Sequence, residues 1–306
     1  MRRTKYPIHK DFKRIEKINP PLKGVLLPIM QKLFSVLFYL QRSNKRVKTE
    51  RKTLVFSNRQ KLRALVYTPK GIDKNASCLV YYHGGGFVIP AAPYHYKNAR
   101  NYAIEANCKV IFANYRLAPK YPYPAPLNDC LNAYIWVLKN AKELGINEEK
   151  IAIGGDSAGA CLAAAVSRLA HDKGLKSPCA QLLIYPVVGI RMQTESMRKY
   201  HDTPMCNNKD VDRYCKLFLQ GNEDEYSAPI NAPDFTVFPP TYLETAEFDC
   251  LRDEGILFAE KLQNAGVPVF LHNTQGTMHA YDMVQNSEIV RESMQKRVKF
   301  LIENMQ

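Results

Sequence analysis

The chain has 306 residues, 46% of them hydrophobic, and 43 Lys and Arg against 29 Asp and Glu give it a formal charge of +14. That length and apolar content exclude a disordered tail or a disulfide-stapled miniature and suit one large α/β domain with an embellishment. The eight cysteines include no CxxC and no metal-like Cys/His spacing, so they read as mostly buried free thiols in a reducing, cytoplasmic compartment, with no metal and no cofactor expected.

The charge is lopsided. Residues 1–63 hold 18 Lys and Arg and 3 Asp and Glu, a net +15, whereas the remainder nets −1. Three readings compete for this segment: a solvated, charged lid surface, attraction to an anionic lipid surface, or nucleic-acid binding. No nucleic-acid module accompanies the charge, so nucleic acid is not expected as a partner. Val25–Leu40 is the most apolar stretch there, but it carries Pro28, Gln31 and Lys32 and spans only 16 residues, short of the roughly 20 needed to cross a bilayer. Gln41-Arg42-Ser43-Asn44-Lys45-Arg46 follows it, unlike the small residues of a signal-peptide cleavage site. It reads as an amphipathic helix docked on the body. Residues 1–45 are then the N-terminal part of a cap, with an uncleaved anchor as the alternative.

Beyond it, Thr53–Ser57 and Leu62–Tyr67 flank the polar Asn58–Lys61 and predict an antiparallel hairpin. Six further strand-like runs follow: Cys78–Tyr82, Lys109–Tyr115, Ile151–Gly154, Gln181–Tyr185, Thr241–Phe248 and Pro268–Asn273. Helical patterns at Tyr94–Ala106, Leu127–Glu143, Ala158–Lys173 and Glu254–Ala265 separate most of them. Strands alternating with helices predict an eight-stranded, mostly parallel sheet covered on both faces. One interruption breaks the alternation. Residues 187–238 are largely polar, with a helical stretch at Val211–Gln220, and read as a second cap insertion in a catalytic domain spanning 46–306. The last strand offers an edge for pairing with a second copy.

The most telling junction is Ile151-Ala152-Ile153 running into Gly155-Asp156-Ser157-Ala158-Gly159 and then an Ala-rich stretch. Strand, Gly-x-Ser-x-Gly and helix together make a nucleophile elbow, where a tight turn holds a serine at the top of a sheet. Upstream, Tyr81-Tyr82 leads into His83-Gly84-Gly85-Gly86, and downstream Asp249 and His279 each sit just past a strand-like run. The order Ser, Asp, His is that of an α/β-hydrolase. Acyl transfer needs a nucleophile, a base, a group that orients the base, and donors for the oxyanion. Ser157, His279 and Asp249 fill the first three places. The backbone N–H groups of Ala158, Gly84, Gly85 and Gly86 fill the last, and an ordinary imidazole titrating at about 6.5 is expected for the base. Among the rivals, Asp253 is expected to cap or support the next helix, and Glu247 is a weaker candidate for the orienting acid. His83 should fix its loop, Asp156 should brace the elbow, and Cys161 should pack on its helix.

Together these residues resemble the hormone-sensitive-lipase-like family of bacterial esterases, the family IV lipolytic enzymes. The likeness runs through His83–Gly86, Tyr115–Pro119 with Tyr121–Ala125, Gly155–Gly159, Ala246–Asp249 with Leu251–Gly255, and His279. It covers roughly residues 50–300 and implies a capped α/β-hydrolase acting on short- to medium-chain carboxylic esters. It also implies Ser157, Asp249 and His279 as the triad, with Gly85, Gly86 and Ala158 at the oxyanion. Ala160, Cys250 and Ala280-Tyr281 depart from common family residues without touching the triad. The expected partner is a small-molecule ester. The alternatives are an acetyl esterase on decorated sugars, an amide deacetylase, an interfacial lipase, or a ligand receptor on the same fold, which the presence of His279 disfavours.

Overall fold

A computed structural model of the chain describes residues 6–18, 26–190 and 193–305. Its centre is one eight-stranded sheet in the order β1-β2-β4-β3-β5-β6-β7-β8. The strands are β1 (Val47–Val55), β2 (Lys61–Pro69), β3 (Ala76–Tyr82), β4 (Lys109–Asn114), β5 (Ile146–Asp156), β6 (Gln181–Ile184), β7 (Thr241–Phe248) and β8 (Val269–Met278). β1 pairs antiparallel with β2, and β2 antiparallel with β4. From β4 to β8 every pairing is parallel.

The expected hairpin is there, but longer at both ends. Lys48-Thr49-Glu50 reads as loop by composition, yet it pairs with Val66–Thr68 because an edge strand needs only one apolar face. The central strands instead read as unbroken apolar runs. Cys78 to Tyr82 is wholly buried, as is Gln181 to Ile184, the mark of parallel strands covered on both sides.

The helices are α1 (Leu26–Leu40), α2 (Pro93–Glu105), α3 (Ala125–Leu144), α4 (Ala158–Asp172), α5 (Glu195–Lys199), α6 (Asn208–Leu219), α7 (Arg252–Asn264) and α8 (Glu288–Asn304). The chain moves one way from β3 to β4, then reverses across β3 to β5 and onward. Right-handed crossovers place α2 on one face and α3, α4 and α7 on the other. The reversal opens a crevice at the carboxyl ends of β3 and β5, the favoured place for a site in an open α/β sheet. Val25, the first residue of the expected N-terminal helix, lies outside the described residues; the rest of that helix forms as α1. α5 and α8 have no counterpart among the expected elements. α8 buries Val290, Met294, Val298 and Leu301 along one face, together with the charged Arg297.

Two segments outside the sheet lie over its carboxyl end. In residues 6–18, Tyr6 stacks on Phe248 and donates from its hydroxyl to Asp202 Oδ1 at 2.6 Å. The His9 N–H donates to Gly276 O at 2.8 Å, and the buried Phe12 meets Tyr281 edge-on. In the 187–238 stretch, α6 sets Phe218 flat on Phe87 at 3.8 Å, directly after the three glycines. Among the described residues no helix is long and apolar enough to cross a membrane. The eight cysteines are all unpaired and all but Cys179 are buried.

Candidate active site

β5 ends at Asp156 and α4 begins at Ala158, so Ser157 alone makes the turn, with φ +52° and ψ −119°. That is backbone a non-glycine residue rarely adopts, worth roughly 1–3 kcal/mol of strain. The turn closes only because its neighbours lack side chains. A Cβ on Gly155 would sit 2.4 Å from the Gly159 carbonyl carbon, and one on Gly159 would sit 2.1 Å from Tyr82 O. The Ser157 N–H is held by Ile184 O at 2.8 Å. Asp156 faces backwards as a brace, accepting from Tyr81 Oη at 2.7 Å and lying 3.0 Å from His95 Nε2. Burial alone would raise its carboxyl, but the His95 ring and the hydrogen bonds from His95 and Tyr81 hold it below the usual range.

The three residues expected to act together meet. Ser157 Oγ lies 2.8 Å from His279 Nε2, and His279 Nδ1 lies 2.6 Å from Asp249 Oδ2. All three are buried. The other Asp249 oxygen accepts from the Leu251 N–H at 3.0 Å, which fixes the carboxylate. Burial works against a charged imidazole at His279, yet the adjacent Asp249 carboxylate prevails and pushes its pKa up to about 9. The unperturbed value expected from sequence therefore does not hold, because the ring's main partner is a dry carboxylate.

Gly85 and Gly86 line the cavity in front of Ser157, and their N–H groups have no partner among the described residues. Gly86 has φ +59°, and a Cβ there would meet the Tyr214 ring at 2.3 Å. Gly84 sits behind them, with its Cβ direction aimed at Asp156 Oδ2. Ala158 opens α4, where the first N–H groups of a helix have no partner within it. His83 is buried and stacks on Tyr115 at 4.5 Å, and its Nδ1 donates to Gly84 O at 2.7 Å. Burial, helped by His95, drives its pKa down to about 3, so the ring stays neutral and shapes the loop.

The rival acids have other partners. Glu247 Oε2 accepts from the Gly276 N–H at 2.7 Å and so anchors the turn before His279. Asp253 does lie in the first turn of α7, but its Oδ2 accepts from the Ser196 N–H at 2.6 Å. It thus supports α5 rather than capping its own helix. Cys161 is buried on α4 against Ser227 O. No group of three or more His, Cys, Asp or Glu placed to hold a metal occurs among the described residues.

A cavity of about 410 Å³ opens onto Ser157 and His279. Ile18, Met30 and Phe34 contribute from the N-terminal segment, and Met205, Val211 and Tyr214 from the 187–238 stretch. The sequence alone points to Ser157, Asp249 and His279 but not to several of these wall residues, because Met205 and Tyr214 lie in a polar stretch with no periodic signal except along α6.

A strained serine between sheet and helix, hydrogen-bonded to a histidine that an aspartate orients, is the arrangement of an α/β-hydrolase. The model of the alpha/beta hydrolase fold family matches residues 79–283, and the chain belongs to that family of enzymes. It is 35% identical over 242 residues to the carboxylesterase NlhH of Mycobacterium tuberculosis, covering 77% of this chain and 76% of that protein. It is 36% identical over 220 residues to an arylesterase of Saccharolobus solfataricus, covering 71% of each. The solved structure of a bacterial heroin esterase superposes with a TM-score of 0.88 at 29% identity over 98% of both chains. The kinship with hormone-sensitive-lipase-like bacterial esterases expected from the motifs holds.

Proposed function

We propose that this chain is a serine carboxylesterase that hydrolyses short- to medium-chain esters through an acyl-enzyme. The observation that carries this reading is the continuous chain from Ser157 Oγ through His279 to Asp249 Oδ2 at the floor of an apolar cavity. Ser157 Oγ attacks the ester carbonyl carbon while His279 Nε2 takes its proton. The resulting oxyanion accepts from the N–H groups of Ala158, Gly85 and Gly86, with Gly84 supporting the loop behind them. Collapse expels the alcohol, which leaves with the proton from His279. Water, deprotonated by His279, then attacks the acyl-enzyme and releases the acid and free Ser157. Asp249 keeps the imidazole in the right tautomer and stabilises the imidazolium.

Residues 1–45 and 187–238 act as the cap, the role their wall residues Met30, Phe34 and Tyr214 support. The apolar wall favours an acyl chain over an acetylated sugar, which needs several side-chain donors and acceptors around its hydroxyls. The unpaired thiols support a reducing, cytoplasmic setting. The test is a nitrophenyl ester series from acetate to laurate, run beside acetylated sugars and acetanilides. The highest kcat/KM is expected between butyrate and octanoate. A preference for acetylated sugar or for amide would replace this substrate class.

A further inference from the structure

The helix α1 has two apolar faces, and only one of them faces protein. On the inner face Leu27 and Phe38 are buried, and Met30 and Phe34 reach the cavity. Gln31 sets the helix rotation, donating from Nε2 to Val88 O at 2.7 Å and Ala118 O at 3.0 Å. The outer face carries Leu26, Ile29, Leu33, Val36 and Leu40. Their exposures run from 48% to 66%. Their spacing alternates between three and four residues, so they form one stripe along the helix. Single exposed apolar residues are ordinary, but a contiguous row is not. Seven of the eleven large apolar side chains exposed among the described residues lie between Ile18 and Leu40. Apolar exposure therefore gathers on the same segment that holds the excess charge.

Cations gather at the carboxyl end of this helix. Arg51 donates from Nη1 to Tyr39 O at 3.0 Å and Gln41 O at 3.3 Å, and the Arg63 guanidinium lies 5.2 Å over the Tyr39 ring. Arg42 and Lys45 follow, both exposed, and Lys32 is exposed beside Leu33. An aliphatic stripe flanked by cations, on a helix whose 15 described residues fall short of the roughly 20 that cross a bilayer, has the make-up of a helix that lies in a lipid interface.

We infer that the outer face of α1 docks this protein onto an anionic lipid surface. A second copy fits less well, since it would bring a second strongly basic segment against the first. Nucleic acid fits less well too, because the stripe is aliphatic and offers bases no stacking platform. Docking brings the cavity wall made by Met30 and Phe34, carried on the inner face of the same helix, close to the membrane. Resting on the esterase reading above, the substrates reached this way are acyl esters dissolved in the bilayer.

The test is cosedimentation of the full chain with phosphatidylglycerol and phosphatidylcholine vesicles, repeated with Ser157→Ala. A triple variant, Ile29→Glu, Leu33→Glu and Val36→Glu, is compared for vesicle binding, for melting, and for hydrolysis of a soluble butyrate ester. Both proteins with an intact stripe should bind phosphatidylglycerol far better than phosphatidylcholine, and binding should fall as salt rises. The triple variant should lose at least about tenfold in partitioning, since it removes apolar contact and adds repelled charge, while melting and soluble-ester hydrolysis stay at the parental level. Equal partitioning of variant and parent overturns the inference. So does a parent that fails to bind vesicles and elutes as a dimer that the variant makes monomeric. If no protein hydrolyses esters yet the stripe-dependent binding holds, the esterase reading fails and the docking face stands.

Discussion

Arg297, on α8, donates from Nη1 to Asp282 Oδ2 at 3.1 Å, three residues beyond His279. Asp282 also accepts from Tyr185 Oη at 2.6 Å, and the Tyr185 ring stands edge-on to the His279 ring with centroids 4.8 Å apart. The same guanidinium pairs with the buried Glu244, whose carboxyl it pulls down to about 2 against the opposing effect of burial. A helix far along the chain thus fixes the loop that carries His279.

Arg297→Met should therefore cost about 3–5 kcal/mol of stability, because it strands two buried carboxylates without their cation. Tyr185→Phe should cost far less stability but lower kcat, since it loosens the Asp282 contact alone. Denaturant unfolding and kinetics on a soluble ester check both. An Arg297→Met protein of parental stability would remove this network from the account.

Gly86→Ala should lower kcat by about 10²–10³-fold, the usual loss when an oxyanion donor is misplaced. The positive φ and the Tyr214 ring both oppose a Cβ there. Adding Tyr214→Ala should recover part of the loss by removing the ring. If the double variant is no faster than Gly86→Ala, backbone strain alone accounts for the defect.

The pH profile follows from His279. The base works only when neutral, and its pKa is raised to about 9, so kcat/KM should climb through pH 7 and 8 and level off above about 9. The sign for stability is opposite. The charged pair with Asp249 contributes fully below the unfolded imidazole value of about 6.5 and is lost as pH rises through the folded value. A profile that is flat from pH 7 upward would show that Asp249 does not raise the base in this way.

Glu254 is wholly buried, and burial, aided by Asp249, lifts its carboxyl to about 8 despite the Gly189 N–H that it accepts at 3.0 Å. The folded chain holds a proton there that the unfolded chain releases from about 4.5 upward. Stability from this group is thus fullest in acid and falls as pH approaches 8. Glu254→Gln should melt near the parent at pH 5 and several degrees above it at pH 8. A gap that does not widen with pH would contradict this.

The sheet was legible because parallel strands are dry on both sides and therefore apolar without a break, as Leu79 to Tyr82 shows. β8 was read short. Its second half, Thr274 to Met278, is polar in sequence, but the Thr274 hydroxyl donates to Thr245 O at 2.9 Å and the Thr277 hydroxyl to Thr274 O at 2.7 Å, so both can be buried. α8 has no expected counterpart although Val290, Met294, Val298 and Leu301 keep helical spacing, partly because the buried face also holds Arg297. Ser157, His279 and Asp249, which meet in the fold, were legible because the elbow needs glycine on both sides of serine and the other two follow strand-like runs. What holds them was not. The contacts from Glu247 to Gly276 and from Arg297 to Asp282 join residues 29 and 15 apart in the chain, and no local pattern encodes such pairings.

The most direct test of Ser157 as nucleophile is covalent trapping with a fluorophosphonate ester, read by intact mass and peptide mapping. One adduct per chain on Ser157 is expected, with complete loss of hydrolysis. Ser157→Ala should neither label nor turn over, having lost about 10⁶-fold in kcat. An adduct on another residue, or parental hydrolysis by Ser157→Ala, would contradict the assignment.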